Sequence, residues 1–482
     1  MYTDCYNENH FVEWNNNMSS VANLLDQFEQ LKHAYQASPN SSKDERLLLL
    51  GQLKQALLSE KENITSALEK DYGYRSHFDS TICDLMPSIQ HINYTTKRLS
   101  KWLKPQKRSA GLLLSPSRLQ VVYQALGVIG VIVPWNFPIY LSIAPIVTAI
   151  AAGNRVMVKL SEYTPETNQV LRRVFSDLSE HVCIIEGAAD VAAEFSQLPF
   201  NHLLFTGSTQ VGKLVASAAA KNLTPITLEL GGKSPVIIAD DADLISAVDA
   251  IMLGKSMNAG QICVAPDYVF IPKNKVEKFI SLYVRRFLQA FPEKKGKREY
   301  SHIINQAQYE RLESYLTDAK EKGATLTSIE GDVQSEGRSF LPHLLTDVND
   351  DMLVMQEEIF GPILPIIGYE AIEEAFDYIK QRPRPLALYV MSSDKRLIKQ
   401  IIENTHSGGV AINDTMMHVA ADDAPFGGIG DSGMGSYHGI EGFITFSHAK
   451  TVLSTPTWLP RARLLLKHKK SMLKVLGLKF MK

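Results

Sequence analysis

Between Arg118 and Arg155 no residue carries a charge, and this run constrains the fold more than any other stretch. So apolar a span belongs either in a bilayer or in the middle of a packed core. Pro134, Asn136, Pro138 and Pro145 interrupt it, with Gly127, Gly130 and Gly153. Proline breaks helix interiors, so the core reading is the better one. It predicts a buried strand over 127–133, a turn at Pro134-Trp135-Asn136-Phe137-Pro138, a buried helix from Ile139 and a second buried strand over 155–160. The alternation then continues. A helix opens near Thr164-Pro165-Glu166, where a cap, a proline and an acid suit a first turn. Strands over 182–185 and 202–205 follow, separated by a helix, and the turn Thr206 to Gly212 leads into a helix over 213–220. Repeated strand–helix alternation with short apolar strands predicts an α/β fold with a parallel, doubly wound sheet. Ligands of such sheets sit at the carboxyl ends of the strands.

At 482 residues the chain has room for two or three domains. After Gly232 a second series begins, with strands over 235–239, 268–271 and 362–367 and amphipathic helices over 276–291 and 305–322. The Gly231-Gly232 pair reads as the joint between the two lobes. Ahead of the apolar run, 21–102 reads as helices, 104–117 as a loop and Arg118 to Tyr123 as an exposed strand. The first seventeen residues hold five Asn and read as a loose tail, and Met18 could be an alternative start. Cys5, Cys83, Cys183 and Cys263 form no CxxC pair, which argues against a metal site or a disulfide scaffold and suits a reducing, cytoplasmic compartment. The net charge of −2 hides an asymmetry, because nine Lys or Arg and no acid follow Glu441. An acidic body with a basic tail is not a nucleic-acid-binding pattern.

Two stretches could carry chemistry together. Glu229-Leu230-Gly231-Gly232-Lys233 sets a carboxylate beside a glycine turn, and Gly260-Gln261-Ile262-Cys263 sets a lone cysteine in a small, polar loop. A thiolate is a strong nucleophile and a carboxylate can serve it as base; an inert core cysteine is the bland alternative. Asn136, between two prolines, suits an oxyanion donor or a buried amide that only satisfies backbone groups. The turn from Thr206 to Gly212 suits phosphate or is merely tight. Lys159 and Glu162 could hold ribose hydroxyls or form a solvated loop.

Taken in order, these motifs resemble the aldehyde dehydrogenase superfamily: Pro134-Trp135-Asn136-Phe137-Pro138, Lys159-x-Ser161-Glu162, Phe205-Thr206-Gly207-Ser208, Glu229-Leu230-Gly231-Gly232-Lys233, Gly260-Gln261-x-Cys263 and Glu358-Ile359-Phe360-Gly361-Pro362. The segments Pro425 to Gly439 and Cys263 to Tyr268 are similar to the class 3 branch. Asp71-Tyr72-Gly73-Tyr74-Arg75-Ser76 and Asn222 to Glu229 are similar to the bacterial coniferyl aldehyde dehydrogenases. The resemblance implies that Cys263 attacks the aldehyde, that Asn136 holds the oxyanion, and that Glu229 activates the water that hydrolyses a thioester. Lys159 and Glu162 are implied at the adenosine ribose, and Thr206, Gly207, Ser208 and Gly212 at the pyrophosphate turn. Trp135 and Leu230 are implied in the same wall, Glu358 at the nicotinamide ribose and Phe360 near the ring. Glu162 favours NAD, and NADP remains an option. Leu160 and Ile262 depart from the usual Pro and Thr of these motifs.

The resemblance also implies an organisation. A Rossmann-like NAD(P)-binding domain takes 1–106 (with 1–18 as the loose tail) and 126–230, a second α/β catalytic domain takes 231–424, and 107–125 with 440–456 form a small β oligomerisation arm that pairs a homodimer. No metal is implied. The substrate implied is a hydrophobic aldehyde, aromatic or α,β-unsaturated, with a medium- or long-chain aliphatic aldehyde as the alternative and a non-catalytic protein on the same fold as another. Residues 457–482 read as a basic amphipathic tail. Arg463, Lys467, Lys470 and Lys474 project to one side of a helix and Leu465, Met472, Leu473 and Leu476 to the other, which suits peripheral contact with an anionic membrane surface.

Overall fold

The computed structural model describes residues 8–294, 297–329 and 337–480. At its centre Val128–Ile132 lies between Arg155–Lys159 and His202–Thr206, all parallel. Val182–Ile185 continues the sheet on one side and Ile226–Glu229 on the other. Every residue of Val128–Ile132 and Arg155–Lys159 is buried, because helices cover both faces. Alternate residues serve opposite sides, as the two-residue period of a strand requires. Ile129, Val131, Val156 and Val158 pack in one cluster with Ile143, Ile146 and Val147 of the helix Tyr140–Ala152. Val128, Ile132 and Met157 join the other cluster with Leu24, Phe28 and Leu31 of the helix Glu8–Ala37. The charge-free run is therefore core.

The second sheet has seven strands in the order Thr325–Ser328, His343–Thr346, Ile363–Tyr369, Tyr268–Pro272, Pro235–Ile238, Ala387–Met391 and Gly409–Ile412. All neighbours are parallel except the first pair. A third, antiparallel sheet joins Gln106–Arg108, Arg118–Ala125 and Ser447–Ser454. The chain thus combines a Rossmann-like parallel sheet, a second α/β unit and a small β arm.

Several expectations are corrected. Residues 8–18, read as loose, belong to the helix Glu8–Ala37; once its packed end is anchored, extending a helix needs no further nucleation. Residues 1–7, with Cys5, lie outside the described residues. The loop over 104–117 contains the short strand Gln106–Arg108 and the turn of helix Gly111–Leu114. The strand through Val121, read as exposed, is paired on both sides by Gln106–Arg108 and Ser447–Ser454, and from Leu119 onward it is half-buried. Residues 440–445 are helical, within Gly439–Thr445, so the arm's last strand starts only at Ser447. The helix expected from Lys213 starts at Thr209, capped by Ser208. The tail is two helices, Arg461–Lys467 and Lys469–Phe480, broken at His468 (φ −118°, ψ 36°), so a single helical projection does not hold across it. The side chains of Met472 and Leu476 lie outside those described.

The chain also returns to its first sheet. Gly433–Met434 pairs antiparallel with Ile226–Glu229, Gly433 opposite Glu229. Gly433 has φ 152°, and a Cβ on it would stand 2.3 Å from the Leu228 carbonyl oxygen. No other residue fits there. Gly433→Ala is expected to cost about 1–3 kcal/mol through backbone strain, read as a lower melting temperature, and to reduce activity because the displaced strand holds Glu229.

Candidate active site

Four strands of the first sheet finish together. Ile132 registers with both Lys159 and Phe205, and Thr206 with Glu229. Lys159, Thr206 and Glu229 are thus delivered to one edge by backbone pairing alone, and the turn carrying Trp135 and Asn136 leaves the same edge. The buried Lys159 ammonium donates to the Leu160 carbonyl at 2.8 Å and meets Glu162 at 3.5 Å. Burial lowers its pKa and the Glu162 charge opposes that. Ser208 accepts the Val211 N–H at 3.4 Å and caps the helix Thr209–Ala220. Gly212, in the helix's first turn, lies against Leu230, whose Cδ2 would be 2.7 Å from an added Cβ. Gly207 lies closer still to the Phe205 ring, whose Cζ would be 2.5 Å from an added Cβ.

Glu229 is 3% exposed, and neither carboxylate oxygen has a hydrogen-bond partner. Burial pushes its pKa well above the ordinary carboxylate range. Cys263 is a half-buried free thiol. Burial, then the charges of Glu358 and Glu229, push it up to about 12. Cys263 thus lies within electrostatic reach of both carboxylates, and the resting thiol is protonated.

Glu358 arrives from a segment that runs against the Gly-Gly turn. A Cβ on Gly231 would stand 2.2 Å from Glu358 Oε2, so only glycine allows the approach. Burial and Asp267 raise the Glu358 carboxyl to about 8, opposed by the Gly232 N–H, Lys233 and Arg311. The segment is fixed from three sides. Asp267 accepts the Ile359 N–H at 2.9 Å; Lys233 pairs with Asp267 and donates to the Glu357 carbonyl at 3.0 Å; Arg311 donates to the Ile359 carbonyl at 2.8 Å. Phe360, held at φ 46°, meets the Trp135 ring edge-on at 5.3 Å.

The cysteine loop rises from a left-handed turn, with φ 49°, 52° and 70° at Asn258, Ala259 and Gly260. Gln261 clamps it. Its amide donates to the Asn258 and His302 carbonyls at 2.9 and 3.0 Å and accepts the Ile304 N–H at 3.0 Å. Asn136, buried at 3% exposure, donates through Nδ2 to the Gln261 carbonyl at 3.2 Å. Asn136 and the Cys263 loop are therefore neighbours, as are Trp135 and Phe360, Lys159 and Glu162, and Gly231 and Glu358. Gln261, Asp267 and Lys233 stood in the sequence motifs without a role, and Arg311 and Tyr389 (which bonds the Val264 carbonyl) were not singled out. Their partners are far away in sequence, so no spacing could reveal them.

The arrangement fits a dinucleotide. A capped helix start, a Lys–Glu pair and a buried, unpartnered carboxyl beside a thiol line one sheet edge. The comparisons with known proteins agree. The Aldehyde dehydrogenase family profile matches residues 16–452. A Pseudomonas aeruginosa protein named "Probable coniferyl aldehyde dehydrogenase" is 50% identical over 433 residues, covering 89% of this chain and 90% of that protein. A structure described as the substrate-bound state of Staphylococcus aureus AldH superposes with a TM-score of 0.87 at 35% identity, covering 93% of this chain and 98% of that one. A Mycobacterium tuberculosis aldehyde dehydrogenase complexed with NAD+ superposes with a TM-score of 0.82 at 28% identity, covering 91% of each chain. The sequence motifs, the paired sheets and these matches converge: the chain belongs to the aldehyde dehydrogenase family and is an NAD(P)-dependent oxidoreductase.

Proposed function

We propose that this enzyme oxidises a hydrophobic aldehyde, aromatic or α,β-unsaturated as in coniferyl aldehyde, to the carboxylic acid through covalent catalysis at Cys263. The observation that carries the mechanism is a half-buried thiol within electrostatic reach of an unpartnered buried carboxyl. Cys263 gives its proton to Glu229, which releases it to solvent, and the sulfur bonds to the aldehyde carbon while the carbonyl π electrons move to the oxygen, which takes the negative charge of a thiohemiacetal. Asn136 spends one amide N–H on Gln261, and its second steadies that oxygen. Lys159 and Glu162 would hold the adenosine ribose of NAD(P) and Glu358 its nicotinamide ribose, and the cofactor would supply the hydride acceptor for oxidation to the thioester level. Glu229 then removes a proton from water as it attacks the thioester, and the acid leaves with the Cys263 thiolate restored. Phe137, Ile262 and Val264 flank the reacting groups in sequence and are buried, which suits an apolar substrate. The names of the coniferyl-type relatives support the aromatic choice.

Cys263→Ala is expected to abolish NAD(P)H formation, and Glu229→Gln to slow turnover about 10²–10⁴-fold while an acyl adduct accumulates in the mass spectrum of the intact protein. A Cys263→Ala variant with parental turnover overturns the mechanism. A panel of cinnamyl, benzoyl and straight-chain aldehydes with both cofactors tests the substrate, and a higher kcat/KM for straight chains would replace the aromatic reading.

The acids set the pH response. Glu358 carries charge mainly above its pKa of about 8, and that charge raises the Cys263 thiol. Removing it lowers the thiol pKa. Glu358→Gln is therefore expected to speed alkylation of Cys263 by iodoacetamide above pH about 8.

We also infer a homodimer joined through the β arm, where Ser447–Ser454 is an exposed edge strand and such edges invite pairing. The tail beyond it exposes Leu464, Leu465, Leu466 and Leu473 among basic residues, which suits an anionic lipid surface. No helix among the described residues is long and apolar enough to cross a membrane. A chain cut after Pro460 should bind anionic vesicles less than the full chain in a flotation assay; equal binding overturns the lipid contact.

A further inference from the structure

Residues 71–84 take no part in the chemistry above, yet their side chains reach both loops that carry it. On one side the Tyr72 hydroxyl, fully buried, donates to the carbonyls of Trp135 at 3.2 Å and Asn136 at 3.1 Å. The Arg75 guanidinium lies 4.8 Å from the Tyr72 ring and 5.4 Å from the Phe137 ring. It binds Asp84 at 2.8 Å, with both side chains at 0% exposure. The other Asp84 oxygen accepts the N–H groups of Ile139 and Tyr140 at 3.1 and 3.0 Å, where the helix Tyr140–Ala152 begins. The turn bearing Asn136 is thus held at its start by Tyr72 and at its end by Asp84.

On the other side Asp79 accepts the Asn258 N–H at 3.1 Å together with the Ser301 hydroxyl. Asn258 is the first residue of the left-handed turn beneath Cys263. Its side chain donates to the Asn136 and Gln261 carbonyls, each at 3.3 Å, and Asn136 Nδ2 closes the circuit on Gln261. A buried ion pair with two further guanidinium nitrogens unpartnered is costly to desolvate, and an apolar core would fill this space more cheaply. What apolar side chains could not do is hold two loops, far apart in sequence, in one fixed relation.

We propose that Tyr72 and Asp79 are positioning residues that set the Asn136 amide against the Cys263 loop, so that they govern the chemical step and not the binding of aldehyde or cofactor. Tyr72 acts through the backbone of Asn136 and Asp79 through the backbone of Asn258. A small displacement of either loop misaligns the amide with the oxygen it must meet, and such misplacement lowers rate far more than affinity. The inference rests on the catalytic reading of Cys263 and Asn136.

The test is a double-variant cycle with NAD(P)H formation as readout. Tyr72→Phe keeps the buried ring and removes only the hydroxyl, and is expected to lower kcat about 10- to 100-fold with both KM values within about twofold. In an Asn136→Ala background the same change is expected to cost no more than about twofold, since the group it positions is gone. Asp79→Ala should behave likewise, with Asp79→Asn restoring part of the loss because its amide oxygen still accepts the Asn258 N–H. Unchanged kcat in Tyr72→Phe, or losses that multiply in the double variant, overturn the proposal; so does a rise in KM alone. Circular dichroism of Tyr72→Phe separates misfolding from misplacement, and if Asp79→Ala fails to fold, the Tyr72 cycle decides. Retained activity in Cys263→Ala would sink the catalytic reading itself, an outcome distinct from any of these.

Discussion

A buried carboxyl group with no hydrogen-bond partner is costly to keep ionised, and Glu229 is such a group. Its environment can only keep it protonated or give it work to do. The surrounding architecture makes both possible. Ile226–Glu229 is sandwiched between His202–Thr206 and the returning strand Gly433–Met434, so the backbone that carries Glu229 is paired on both sides. Glu229 and Glu358 push the Cys263 thiol upward in addition to burial. Burial and these two charges therefore keep the resting thiol protonated.

The same economy of position runs through the loops. Gly231 is small enough for the Glu358 carboxylate to lie against it, and the Lys233–Asp267 pair ties three distant segments into one wall. The turn at Asn258 to Gly260 lies in the left-handed region, where a non-glycine backbone persists only if its surroundings over-determine it. Asp79, Gln261 and Asn136 do that. The left-handed turn at Asn258 to Gly260 and the unpartnered Glu229 carboxyl both bear on one thiol, and the two parallel sheets supply the frame that holds them.

Much of this was legible beforehand. The charge-free run around Val128–Ile132 and the strand–helix alternation after it led to the parallel sheet because burial on both faces leaves a visible apolar signature. Glu229 and Cys263 stood out because a carboxylate beside two glycines and a cysteine in a Gly-Gln loop are local patterns. The helical state of residues 8–18 was not legible, since Asn-rich sequence has low intrinsic helix preference and its order comes from the packed end near Phe28. The break at His468 escaped a helical projection for a similar reason: a periodic pattern does not register one residue leaving helical φ and ψ.

The sequence by itself determined the fold class and the family, because these depend on patterns within a few residues. Only the tertiary structure decided which groups meet and how they are charged. That Gly433 closes the first sheet beside Glu229, that Asp79 holds Asn258, and that Tyr72 holds Asn136 depend on contacts between segments far apart in the chain. The raised pKa values of Glu229, Glu358 and Cys263 follow from desolvation, and a buried environment exists only once the whole chain has closed around it.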